Sequence, residues 1–219
     1  MVPLRAAIFD MDGVLVDNAK AHRQAWEIFC AQHDRPFKKS DWHRIVGHTN
    51  PKILKILFGR MLSAQQILRY TREKETLYRV IHARSFRPVK GLNAYLRFLQ
   101  QHGVRLGVAS SAPPENIRFV LNHPKIENRY FEAIVTAAHV RYAKPHPAIY
   151  LKAAKRLGVH SKECIVFEDS LVGIESGQRA GMTVIALATT YPKRKLGHAT
   201  MTVHDFTDKR LRNLSKLFQ

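Results

Sequence analysis

Acidic residues are scarce in this 219-residue sequence: seventeen Asp and Glu stand against thirty-six Lys and Arg, a formal charge of +19. Such an excess creates a broad positive potential and favours anionic partners, phosphorylated metabolites and nucleic acid among them, without choosing between them. Cysteine is nearly missing. Cys30 and Cys164 form no CxxC or Cys/His pattern, so a disulfide framework and a zinc site are excluded and both read as small buried hydrophobes in a reducing compartment. No apolar run approaches the roughly 18 residues of a membrane span. The start Met1-Val2-Pro3-Leu4-Arg5 does not have the form of a signal peptide, and a cytoplasmic protein without membrane association is expected. Low-complexity tracts are lacking too, and 45% hydrophobic with 24% charged residues excludes a disordered tail or linker.

What is there suffices for one large domain or two small ones, with a core that needs neither disulfides nor metal. Short apolar runs bounded by turns recur at 6–9, 104–109, 133–135, 164–167 and 183–188, and they have the character of buried strands. Amphipathic segments at 92–101, 115–121, 147–157 and 173–180 have the length of crossover helices. This alternation predicts an α/β fold, a parallel sheet with helices on both faces.

One interval breaks the alternation. From residue 18 to 87 nothing resembles a strand, while helical stretches recur at 19–32, 50–57, 64–70 and 72–83, so an all-helical insert follows the first strand. It is rich in cations, among them Lys38, Lys39, Arg44, Lys52, Lys55, Arg60, Arg69, Arg72 and Arg79, most of which form a solvated face.

The first strand closes on Phe9-Asp10-Met11-Asp12-Gly13. In an open parallel sheet the carboxyl ends of the strands face the ligand crevice, which is where these two acids fall. Their charges repel, and the arrangement calls for a divalent cation, a proton on one partner, or both. Gly13 permits a sharp turn. The next long strand ends in Ser110-Ser111, a hydroxyl pair followed by backbone N–H groups suited to phosphate oxygens. Lys144-Pro145-His146-Pro147 precedes a helix and offers a lone cation to balance a phosphate, and Glu168-Asp169 closes another buried strand.

In chain order these strand ends present two acids, a hydroxyl, a lysine and two more acids. The sequence thereby resembles the haloacid dehalogenase superfamily, in the branch with a helical cap after the first strand that includes β-phosphoglucomutases and sugar-phosphate phosphatases. The resemblance covers essentially the whole chain. It implies a Rossmann-like, doubly wound core over 1–17 and 88–219, with the cap over 18–87. It further implies that Asp10 is the nucleophile and that Asp12 protonates the leaving oxygen and then activates water. Ser110, with Ser111 beside it, would hold the phosphoryl group, and Lys144 would bridge that group and Asp10. Mg²⁺ would be held by Asp10, the Asp12 backbone carbonyl, Glu168 and Asp169, an oxygen set that suits a hard ion. Lysine-proline turns of similar proteins can be cis, and Lys144-Pro145 is the candidate.

An aspartate at position 12 argues for phosphate esters, since dehalogenases and phosphonate-cleaving relatives do without that acid. By the same resemblance, substrate choice falls to the cap. Val46-Gly47-His48-Thr49-Asn50 fits the loop that descends on the active site, placing Gly47, His48 and Asn50 among substrate-binding candidates with Lys74 and the hinge-side His22. Mutases carry an arginine for a second phosphate where Asn50 stands, which weighs against mutase activity. The expected function is a Mg²⁺-dependent phosphatase, a monomer, acting on a small phosphorylated metabolite such as a sugar phosphate through a phosphoaspartyl intermediate on Asp10. The alternative is a hexose-phosphate mutase. A nucleic-acid-binding module on an inactive scaffold is the remote third reading, unsupported by any aromatic-studded strand, zinc finger or recognition-helix pattern.

Overall fold

A computed structural model describes residues 3–59 and 62–213; Arg60, counted above among the cations of the insert, lies outside them. The chain divides into two compact units, Met1–Asp17 with Arg87–Gln219, and Asn18–Phe86. Among the described residues the strands are β1 Ala6–Phe9, β2 Arg105–Ser110, β3 Phe131–Thr136, β4 Cys164–Glu168, β5 Thr183–Leu187 and β6 Met201–Val203. The α-helices are α1 Ala19–Gln32, α2 Lys39–Ile45, α3 Asn50–Phe58, α4 Ala64–Ala83, α5 Leu92–Gln101, α6 Pro114–Leu121, α7 Ala148–Arg156 and α8 Leu171–Arg179.

All six strands belong to one parallel sheet in the order β3-β2-β1-β4-β5-β6. β1 lies between β2 and β4, where the order reverses, and this is the topological switch point at which open α/β sheets bind ligands. Side-chain alternation along the strands builds a core on each face. Ala6 and Ile8 join Val166, Val184 and Ala186 in a cluster completed by Ile149 and Ala153 of α7 and Ile174 of α8. Phe9 points the other way and stacks on Phe167 with ring centroids 4.7 Å apart, and Tyr95 of α5 and Phe206 pack around this pair. Each ring is removed from water, a gain on the order of 2–3 kcal/mol apiece.

The helical unit holds its own core of Trp26, Phe29, Ile45, Ile53, Leu54, Leu57 and Tyr70. Three expectations are corrected here. The stretches at 64–70 and 72–83 are one continuous helix, α4. Thr71 is a mediocre helix former, but Tyr70, Lys74 and Tyr78 fall at i, i+4 and i+8 and are all buried, so packing overrides local propensity. The helix starts in a capping box: Gln66 N–H donates to Ser63 Oγ at 3.2 Å, and Ser63 N–H donates to Gln66 Oε1 at 2.9 Å. The short α2 was not anticipated. It is nucleated by Asp41, whose carboxylate accepts from Lys38 N–H at 2.9 Å and from Arg35 at 3.2 Å. β6 also escaped the sequence reading, being three residues at the sheet edge.

Candidate active site

The register of the sheet decides which side chains meet at its carboxyl end. Phe9 pairs with Val108 and with Phe167, so Asp10 leaves β1 level with Ala109 and Glu168. Its N–H donates to Phe167 O at 3.0 Å. Ser110 pairs with Thr136, so the exit of β3, which leads to Lys144, lies on the same rim. Asp10, Ser110, Glu168 and Asp169 are all buried.

Lys144 joins these strand ends. Its Nζ donates to Asp10 Oδ1 at 2.6 Å and to Glu168 Oε1 at 2.7 Å, and lies 4.8 Å from the centroid of the Tyr150 ring. The Lys144–Pro145 peptide is cis, as the family resemblance implied. Glu168 is fully occupied. Oε1 also accepts from Tyr150 OH at 2.8 Å, while Oε2 accepts from the N–H groups of Asp169 and Ser170, both at 2.9 Å, and from Ser170 Oγ at 3.0 Å. Gly173 makes room for that carboxylate, since a Cβ there would stand 1.8 Å from Glu168 Oε1. Asp169 extends toward the first loop instead, where it hydrogen-bonds Thr190 and its Oδ2 lies 2.0 Å from where a Cβ on Gly13 would be. Gly13 is left-handed at φ 72, and its carbonyl accepts from Thr189 Oγ1 at 2.6 Å. Ser110 Oγ accepts from Ala112 N–H at 3.0 Å, and Ser111 beside it is half-buried.

Electrostatics divide these groups. Burial lowers the Lys144 ammonium, but the Asp10 and Glu168 carboxylates outweigh it and hold it well above its ordinary value. Burial raises Glu168, yet Lys144 and the donors on both oxygens bring it below the usual carboxylate range. Burial pushes the Asp10 carboxyl up to about 7, with Lys144 opposing and Glu168 and Asp12 adding to the rise. Asp169 is driven well upward by burial and by Glu168 and Asp10. One ammonium therefore compensates Glu168 and only part of Asp10, and the remaining carboxylates are short of positive charge. Such an oxygen-only donor set suits a hard divalent cation. Among the described residues, no three His, Cys, Asp or Glu side chains are grouped to hold an ion by themselves, so a backbone carbonyl such as that of Asp12 would have to contribute.

In the helical unit three candidates come together. Lys74 is buried, and its Nζ bonds His22 Nδ1 at 2.8 Å and Glu75 Oε1 at 3.0 Å. Asn50 Nδ2 donates to the same Glu75 oxygen at 2.8 Å. His22 stacks on Tyr78 with centroids 3.8 Å apart, and Lys74 Nζ lies 5.0 Å from the Trp26 ring centroid. Gly47, at φ 81, and His48 stand in the turn before α3, outside this cluster, and Lys52 is exposed. Burial, with Lys52 adding, lowers the His48 imidazole.

The sequence reading missed Tyr150, Thr189, Thr190 and Glu75. The two threonines follow β5 and were open to the same strand-end argument that found Asp10. Tyr150 and Glu75 carry no local signal.

A family model for haloacid dehalogenase-like hydrolases matches residues 7–187, and the chain belongs to that family. It is 27% identical over 179 residues to the phosphorylated carbohydrates phosphatase of Thermotoga maritima, a match covering 82% of each chain. It is 30% identical over 203 residues to the β-phosphoglucomutase of Bacillus subtilis, covering 86% of this chain and 85% of that one. The crystal structure of a family IA, variant 3 hydrolase from Entamoeba histolytica superimposes with a TM-score of 0.90 at 25% identity, over 98% of this chain and 99% of the other. The protein is an enzyme, a phosphatase of this family, with phosphomutases among its relatives.

Proposed function

We propose that the protein hydrolyses the phosphate ester of a small phosphorylated metabolite, a sugar phosphate or its like, through a phosphoaspartyl intermediate on Asp10. The observation that carries this reading is the Lys144 ammonium, buried between the carboxylates of Asp10 and Glu168 at the switch point of the sheet. An anionic nucleophile can approach an anionic phosphate only where the charge is compensated in advance, and Lys144 does this for Asp10.

In the first step a carboxylate oxygen of Asp10 attacks phosphorus, the ester P–O bond breaks, and Asp12 gives its proton to the leaving oxygen. In the second, Asp12 takes a proton from water, whose oxygen attacks phosphorus, and the acyl phosphate bond breaks to release inorganic phosphate and restore Asp10. Ser110 and nearby backbone N–H groups hold the phosphoryl oxygens throughout. Asp10, Asp169 and the Asp12 carbonyl would hold Mg²⁺, which supplies charge neutralisation on the phosphoryl oxygens when bound. Glu168, both of whose oxygens are taken, serves as a positioning residue for Lys144 and not as a metal ligand.

Hydrolysis is favoured over mutase chemistry by Asn50, which offers no cation and spends its amide on Glu75. Phosphate release across a panel of phosphorylated metabolites with Mg²⁺, run beside Asp10→Asn, tests the reading. Unchanged turnover in that variant would remove the nucleophile. β-Glucose 1-phosphate with a bisphosphate primer should give free phosphate; glucose 6-phosphate without it would establish the mutase instead.

A further inference from the structure

Two consecutive threonines leave β5 at the carboxyl end of the sheet. Ala186 of β5 pairs with Glu168, so Thr189 and Thr190 stand beyond the rim that carries Asp10 and Asp169, and both are half-buried. The Thr189 hydroxyl donates to Gly13 O at 2.6 Å, and the Thr190 hydroxyl hydrogen-bonds the Asp169 carboxylate. These contacts converge. A Cβ built on Gly13 would stand 2.0 Å from Asp169 Oδ2 and 3.0 Å from Thr190 Oγ1, so the first turn, the carboxylate and the hydroxyl meet at one point within one unit of the chain.

The two acids at the end of β4 are held in different ways. Glu168 spends both oxygens on Lys144, Tyr150, the Ser170 hydroxyl and two backbone N–H groups. The Lys144 ammonium goes to Asp10 and Glu168, while Asp169 is reached by the neutral hydroxyl of Thr190. That difference matters for a cation ligand. An ammonium cancels the charge that a metal needs, whereas a hydroxyl orients the carboxylate and leaves its charge in place. A carboxylate fixed in advance also loses less freedom when the metal arrives.

We propose that Thr190 is a positioning residue for the divalent cation: its hydroxyl fixes the buried Asp169 carboxylate against the Gly13 turn, in the orientation that receives Mg²⁺. The proposal rests on the phosphoryl-transfer reading and extends it to the loop after β5. Thr190 acts through Asp169 and takes no part in the transfer of phosphorus itself. Its neighbour Thr189, bonded to a backbone carbonyl, anchors the same loop without touching the carboxylate, which makes it the natural control.

The test titrates Mg²⁺ into the wild type, Thr190→Val, Thr190→Ser and Thr189→Val without substrate, following calorimetric heat and the rise in melting temperature. Thr190→Val should raise the Mg²⁺ Kd about tenfold, the scale of losing a hydrogen bond behind a metal ligand, and Thr190→Ser, which keeps the hydroxyl, should stay within about twofold of the wild type. Thr189→Val should lose several-fold less than Thr190→Val. Phosphate release then gives the kinetic counterpart: Thr190→Val should need about tenfold more Mg²⁺ for its half-maximal rate and should recover most of its kcat when Mg²⁺ saturates. Melting without Mg²⁺ reports whether each variant folds, and Thr190→Ala carries the same expectation should the valine not be accommodated. An unchanged Mg²⁺ Kd in Thr190→Val, or equal losses in Thr190→Val and Thr189→Val, would overturn the role while leaving the phosphatase reading intact. A wild type with neither Mg²⁺ binding nor Mg²⁺-dependent turnover would overturn both.

Discussion

Glu168 Oε1 accepts from Lys144 Nζ at 2.7 Å and from Tyr150 OH at 2.8 Å, so the lysine that faces Asp10 is held from behind by a buried carboxylate. Glu168→Gln keeps the shape and removes the charge that fixes Lys144. The expected result is a fall in kcat of about 10–100-fold with a smaller change in KM, because the lysine matters most as charge develops on the phosphoryl group. Tyr150→Phe should cost about tenfold or less. Steady-state kinetics on any ester that is turned over will decide, and two variants with wild-type kcat would discard the positioning role.

Gly173 allows Glu168 its place. A methyl group at 173 would meet the Glu168 carboxylate at 1.8 Å, and that carboxylate can swing away only by giving up its hydrogen bonds to Lys144, Tyr150, Asp169 and Ser170. Gly173→Ala should destabilise the protein by about 1–3 kcal/mol and impair turnover together. Urea unfolding followed by circular dichroism, alongside phosphate release, measures both effects. Gly103→Ala is a useful contrast, since nothing lies within 4 Å of its added Cβ and only the left-handed backbone, at φ 71, is strained.

Asp41 makes the helical unit sensitive to acid. Burial raises its carboxyl, but the Lys38 N–H, the Arg35 hydrogen bond and the Arg35 and Arg44 charges together hold it below the ordinary value. A carboxyl lowered in the folded state contributes stability that is present above its unfolded pKa, about 3.9, and is lost as pH falls through the folded one. Asp41→Asn should therefore cost about 1–3 kcal/mol near pH 7, and the gap from wild type should close below about pH 4. Trp26 and Trp42 are the two tryptophans of the chain and both lie in this unit, so fluorescence-detected unfolding reports on it. A gap that does not change with pH would contradict the assignment.

Both thiols should be silent. Cys30 and Cys164 are buried; burial, with Glu163 adding, pushes the Cys164 thiol up to about 12, and burial raises Cys30 against the opposing Arg35. Thiolate is the reactive form, so a disulfide reagent should label neither in the native protein and both after denaturation. Rapid labelling of the native protein would argue against this packing.

Much of the candidate site was legible because its residues sit at strand ends, where a short apolar run stops on a polar residue. Asp10, Ser110, Glu168 and Asp169 announce themselves that way, and Lys144 does so through the proline beside it. Thr189 and Thr190 obey the same rule at β5 and could have been found. Tyr150 and Glu75 could not, since nothing in a helical run of residues says which buried position faces a polar group across the fold. The division of α4 at Thr71 failed for a related reason: propensity is local, whereas the buried stripe through Tyr70, Lys74 and Tyr78 is decided by what packs on it.

The sequence by itself determined the parallel α/β core, the helical insert and the set of strand-end groups, because apolar periodicity and chain reversal are local properties of the residues. Only the tertiary structure decided how those groups share their charges. Both Glu168 oxygens are filled by donors from the β3–α7 loop, α7 and the turn after β4, Lys74 is enclosed by His22, Glu75 and Trp26, and Thr190 reaches Asp169 from the loop after β5. Such assignments depend on distances between residues far apart in the chain, and hydrogen bonding and desolvation act through those distances.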